Sequence, residues 1–191
     1  MLDQGEIVDE GSAQEVADNF LQLMLKSDSA GNKDLAGIPR KAGLGREIYF
    51  TACVIKNEDG EAVSRLKFGE RLHFRLKARC EKSLEDLSFS LNIMTLDGVS
   101  IFTSLSDENG KTFRADKDEE LHLSVKISDI ALLPRSYDVT IAIRKSGKLL
   151  DSVRNACPFS VSDIARTEKG QTKVKSGMVS VPARWTDEVK A

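Results

Sequence analysis

From Glu47 onward the chain alternates apolar and polar residues one by one, through segment after segment. Leu72, Phe74, Leu76 and Ala78 alternate with His73, Arg75, Lys77 and Arg79. Leu87, Phe89, Leu91 and Ile93 alternate with Ser88, Ser90, Asn92 and Met94. The same period runs through Leu121–Ile127 and Tyr137–Arg144. Successive side chains of a strand point to opposite faces, so a period of two means a strand buried on one face and wet on the other. Turn pairs punctuate these runs at Asp59-Gly60, Asp97-Gly98, Asn109-Gly110 and Ser146-Gly147. Further strands are expected at 48–56, 99–104, 148–153 and 157–162. Many short strands with no helix between them predict an all-β chain, an antiparallel β-sandwich of Ig-like or jelly-roll type spanning 47–163.

The flanks have a different texture. Residues 1–26 read as a strand or turn followed by a short N-terminal helix. Ser12-Ala13-Gln14-Glu15 is a capping box, and Val16, Phe20 and Leu23 share one helical face. Residues 27–46 hold four glycines and one proline with no sustained period, which is the composition of a linker. Its Lys33, Arg40, Lys41 and Arg46 read as solvated charge. A polar spacer at 164–176 precedes a C-terminal strand and tail at 177–191, where alternation returns and includes the single Trp185. A strand behind a spacer is free to pair with a second copy, so exchange of this strand in a homodimer is an expectation, with Val179, Val181 and Trp185 as the dimerisation residues.

Composition narrows the function. A formal net charge of −2 gives no electrostatic case for nucleic acid. No apolar run approaches the ~18 residues of a membrane span, and Met1–Glu6 has neither the basic nor the apolar region of a signal peptide, so a cytoplasmic location is expected. Cys53, Cys80 and Cys157 are odd in number and widely spaced, which suits buried thiols better than a disulfide framework. His73 and His122 form no zinc spacing with them, and neither a metal nor a cofactor is expected. There is no G-x-S-x-G, H-E-x-x-H or phosphate-loop motif. The carboxylates Asp107, Glu108, Asp116, Asp118, Glu119 and Glu120 lie in turn-rich stretches rather than as an opposed pair. No catalytic residue is assigned.

A binding face has more support. If 87–94 and 137–144 share a sheet, their outward residues make a patch of Ser88, Ser90, Asn92, Asp138, Thr140 and Arg144. Small hydroxyls and amides beside one or two charges suit a carbohydrate, because each sugar hydroxyl both donates and accepts.

A resemblance adds to this reading. Gly5-Glu6-Ile7-Val8 and Gly11-Ser12-Ala13-Gln14-Glu15-Val16 resemble the closing strand, turn and helix of a polysaccharide-export ABC nucleotide-binding domain. Residues 45–185 resemble the C-terminal domain of Wzt-type O-antigen exporters. The similarity runs through Gly45-Arg46-Glu47-Ile48, Phe68-Gly69-Glu70, Asp97-Gly98, Ile101–Ser104, Leu132–Tyr137 and Phe159-Ser160-Val161 to Gly177–Trp185. It departs at Arg135-Ser136, where that family usually has a glycine turn.

The resemblance implies a non-catalytic carbohydrate-binding domain of an O-antigen exporter's ATP-binding subunit. Such a domain recognises the polysaccharide by its non-reducing end and forms homodimers by exchanging the last strand. It implies a membrane permease as partner and a place at the cytoplasmic face of the inner membrane. Residues 1–25 would be the end of the ATP-hydrolysing domain, whose phosphate loop this sequence lacks. Two other readings stay open: a structural homodimerisation module that touches no sugar, and a glycan-modifying enzyme.

Overall fold

A computed structural model of the chain describes residues 2–3, 6–7, 10–11, 34–127, 131–162 and 177–180. The helix expected within 12–26 and the spacer 164–176 lie outside the described residues, as do Val181 and Trp185.

Strands β1 (Leu2–Asp3) and β2 (Glu6–Ile7) pair with each other. The body of the fold begins with β3 (Ile48–Lys56), β4 (Arg65–Lys67), β5 (Leu72–Cys80), β6 (Leu84–Thr95) and β7 (Ser100–Leu105). A 3-10 turn (Asp107–Asn109) leads to β8 (Phe113–Ala115) and β9 (Glu120–Ile127). Then come β10 (Ala131–Leu132), β11 (Arg135–Lys145), β12 (Lys148–Val153), β13 (Phe159–Ser162) and β14 (Val179–Ser180). The sequence placed all eight strands it named in this region. It did not single out the short β4, β8 and β10.

Two sheets carry the fold. The larger, with seven strands, runs β4-β13-β11-β6-β7, with β12 also on β11 and β8 also on β6. The smaller is β3-β5-β9. Among the described residues the pairings are antiparallel as expected except one: β13 and β4 run parallel, Val161 beside Leu66. Parallel neighbours need a long crossover, and here everything from β5 to β12 lies between the two strands.

The odd-numbered residues of β11 and β6 face inward. Tyr137, Val139, Ile141 and Ile143 lie opposite the inward Leu87–Ile93 row and against Phe50, Phe74 and Leu76 of the smaller sheet, all essentially unexposed. Each such fully buried side chain contributes about 1.5–3 kcal/mol by leaving water. Aromatic rings interlock across the layer, with Tyr137 stacked on Phe159 at 5.4 Å and Phe74 edge-on to Phe159 at 6.1 Å. All three cysteines are buried thiols. Burial raises the Cys53 thiol well above its ordinary value, and its sulfur interacts with that of Cys157 although the two are remote in sequence.

The turns follow their residues. At the β11–β12 hairpin Ser146 (φ 46°) and Gly147 (φ 80°) take the left-handed backbone that a tight two-residue hairpin requires. Arg135 and Ser136 are not a turn. Both belong to β11 and neither has a positive φ, so nothing there calls for glycine.

The expected solvated linker is in its described part a strap packed on the sandwich. Leu35 is wholly buried in the core, and its N–H donates to the Thr51 carbonyl at 3.0 Å. Arg40, expected in solvent, is largely buried, its side chain 9% exposed. Its Nε donates to Asp151 Oδ1 at 2.8 Å, and its other nitrogens donate to the carbonyls of Leu35, Ile38 and Phe50. Composition hid this, because an arginine that satisfies backbone carbonyls looks like linker charge until the acid 111 positions later is brought beside it.

Candidate functional site

The outward face of the larger sheet is set by one register. In the β11–β6 pairing Asp138 lies opposite Met94, Thr140 opposite Asn92, Ala142 opposite Ser90 and Arg144 opposite Ser88. Both strands present even-numbered residues outward, so Ser88, Ser90, Asn92, Asp138, Thr140 and Arg144 come together on one face. β6 and β11 are interior strands of the sheet, so the patch lies away from the sheet's edges. The two serines, expected to be exposed, are each only 8% exposed. Arg144 lies opposite Ser88 and hydrogen-bonds Ser90.

The polar groups are held in place by one another. Arg144 Nη1 donates to Ser90 Oγ at 2.9 Å. Asn92 Nδ2 donates to Thr103 Oγ1 at 2.8 Å and Ser100 Oγ at 2.9 Å, both from β7. The Thr140 hydroxyl donates to the Met94 sulfur at 3.7 Å. Asp138 Oδ1 accepts from the Val139 N–H at 2.6 Å. With its amide turned so that the nitrogen donates, Asn155 lies 2.7 and 2.8 Å from the two Asp138 oxygens. Such pre-positioning lowers the cost of ordering side chains when a ligand arrives.

The face extends further than the sequence indicated. Pairing of β13 with β11 sets Ser160 beside Ser136, and pairing of β12 sets Ser152 beside Ala142. Ser160 Oγ is buried with no hydrogen-bond partner in the described structure. Ser160 alternates with the buried Phe159 and Val161, and the strand order places it next to the patch.

The other candidates fall elsewhere. His73 and His122 lie on the outer face of the smaller sheet, His73 Nε2 3.0 Å from Ser124 Oγ and His122 Nε2 3.0 Å from Glu120. Partial burial lowers the His73 pKa, helped by Arg75, Lys126 and Lys56. Of the carboxylates expected in turns, Glu120 instead opens β9 and pairs with Lys77 at 3.3 Å, and Glu119 accepts from the Asp116 N–H at 2.7 Å. No group of acids, histidines and cysteines among the described residues is arranged to hold a metal ion. Val179 lies on β14, opposite Leu132 of β10 in the same chain, and is 37% exposed. None of the described helices is long and apolar enough to cross a membrane.

The structure is similar to the crystal structure of the C-terminal domain of wzt, with a TM-score of 0.61 at 16% identity over 82% of this chain and 95% of that one. A Bacteroides uniformis beta-glucuronidase matches 56% of this chain and 14% of its own at 16% identity, with a TM-score of 0.44. No curated protein matches the sequence. The family described as the Wzt C-terminal domain matches residues 45–181, which cover every strand from β3 to β14. On that match the chain belongs to the Wzt C-terminal domain family.

Proposed function

We propose that this domain is a non-catalytic glycan-recognition module in the ATP-binding subunit of a polysaccharide exporter. It binds O-antigen polysaccharide through the outer face of the larger sheet, with the non-reducing end as the part recognised. The observation that carries this reading is the β6–β11 register, which lines up Ser88, Ser90, Asn92, Asp138, Thr140 and Arg144 across one face. Ser136 and the unpartnered Ser160 hydroxyl extend it. Recognition is weak and additive, because each sugar hydroxyl gives up water for a protein group of similar strength. In this reading ATP hydrolysis belongs to another part of the subunit. A membrane permease is the partner and the cytoplasmic face of the inner membrane the location.

A second reading, a homodimerisation module that binds no sugar, has its own observation. Leu96 (47%), Val99 (45%) and Val179 (37%) are large apolar side chains left exposed. The β6–β7 hairpin that carries the first two ends beside the start of β11, and β10, which precedes β11, pairs with β14. Titration of the protein with its own organism's O-polysaccharide, followed by NMR amide shifts, separates the readings. Saturable shifts on β6 and β11 that an unrelated polysaccharide does not give support recognition. A folded dimer that shows no shifts at millimolar glycan leaves the dimerisation module.

A further inference from the structure

The two sides of the sandwich are closed differently. On the side where β12 meets β3, the strap of residues 34–46 and the Arg40–Asp151 pair cover the seam. On the opposite side the smaller sheet ends at β9, while the larger sheet carries β7 and β8 on β6. A cleft of about 410 Å³ opens along that edge, reaching from the core residues over β9 to its outward His122, Ser124 and Lys126. Its lining includes Leu76, Phe89, Leu91 and Leu123 of the core and the half-buried Phe113 and Val125 packed against them. That volume lies within the usual range of small-ligand sites.

The polar groups at the cleft have one sign. Lys111 and Lys126 line it together with serines and His122, and no Asp or Glu does. Lys111 Nζ sits 5.6 Å from the centroid of the Phe113 ring, at the edge of the apolar floor. Neither lysine takes part in the ion pairs found among the described residues. A bare sugar would lose hydrogen bonds against such a floor. A neutral hydrocarbon would leave the lysines unused.

We propose that this cleft is a second binding site, sharing only Ser90 with the outer-face patch, that takes a single apolar chain ending in an oxyanion. The chain lies against the half-buried Phe113 and Val125, and the anionic head pairs with Lys111 and Lys126. The site takes a ligand without sugar, so its test does not depend on the glycan reading.

The test is NMR titration of the whole chain with decyl phosphate below its micelle concentration. Inorganic phosphate and decyltrimethylammonium serve as head-only and opposite-charge controls. The expected result is saturable shifts at residues 104–106, 111–113 and 122–126 with decyl phosphate alone. Lys111→Glu with Lys126→Glu should weaken binding at least tenfold. Ser104→Trp, which fills the cleft from the half-buried strand β7, should abolish it while the rest of the amide spectrum stays dispersed. Equal binding of decyltrimethylammonium, binding of inorganic phosphate at the same residues, shifts confined to β6 and β11, or no shifts at all would each overturn the proposal.

Discussion

Arg40 and Asp151, 111 positions apart in sequence, meet at 2.8 Å inside the seam between β12 and β3, with Asp151 wholly buried. The second Asp151 oxygen accepts the Phe50 N–H at 2.8 Å, so one carboxylate ties the strap, β3 and β12 together. Removing one partner of a buried pair strands the other charge, which costs about 3–5 kcal/mol. Asp151→Ala is therefore expected to lose about that much in urea denaturation. Arg40→Leu with Asp151→Leu should cost less than the sum of the single changes, because it leaves no orphan charge. A loss below about 1 kcal/mol for Asp151→Ala would show that the strap is not held by this pair.

If the outer face binds glycan as proposed, the half-buried Arg144 and Asn92 are among the groups that meet it. Each bond lost to a sugar hydroxyl is worth about 0.5–1.5 kcal/mol, so Arg144→Ala and Asn92→Ala should each weaken glycan binding by up to about tenfold. Val179→Asp, at β14, should leave that affinity alone. Isothermal titration of the three variants checks this. Unchanged affinity in both face variants would move the glycan off this face.

What the sequence made legible, and what it hid, follows from range. Alternation is a local signal, and it located the Leu72–Ala78 and Leu87–Ile93 strands and showed which side chains point outward. Pairing is a long-range fact. That Thr140 faces Asn92 could be stated only as a condition, and that Ser160 lies beside Ser136 could not be seen at all. Short strands such as Arg65–Lys67 hold too few residues to show a period, and this one pairs in parallel with a segment almost 100 positions away. The fate of Arg40 was hidden for the same reason. The cleft needed both the strand order and the unequal widths of the two sheets.

Lowering the pH should weaken the fold partly through His73. Burial first, then Arg75, Lys126 and Lys56, holds its pKa below the ordinary 6.5, while Ser124 sits at its Nε2. The unfolded chain then binds the proton more readily than the folded one, so stability falls as pH drops through about 6.5 toward the lower folded value. His73→Gln should flatten that part of a stability–pH curve measured by urea denaturation. An unchanged slope between neutral pH and the folded pKa would show that His73 does not contribute to it.

At the other end of the pH scale the sensitive group is Tyr137. Its ring is buried between the sheets, stacked on Phe159, and its hydroxyl donates to the Leu133 carbonyl and lies 3.4 Å from the Met178 carbonyl. The Leu133 N–H in turn donates to that Met178 carbonyl at 3.0 Å, so the phenol helps fasten β14 to β10. Burial pushes the Tyr137 pKa up from 10.0 to about 12, with Arg135 opposing. The unfolded chain loses this proton first, so stability declines as pH rises from about 10 toward 12, the folded value. Tyr137→Phe keeps the ring and removes the donor. It should cost about 1–2 kcal/mol at neutral pH, because the Leu133 carbonyl loses its partner. It should also remove this decline from the alkaline limb and speed hydrogen exchange of the Leu133 amide. If exchange at Leu133 is unchanged while global stability falls, the hydroxyl stabilises the core without anchoring β14.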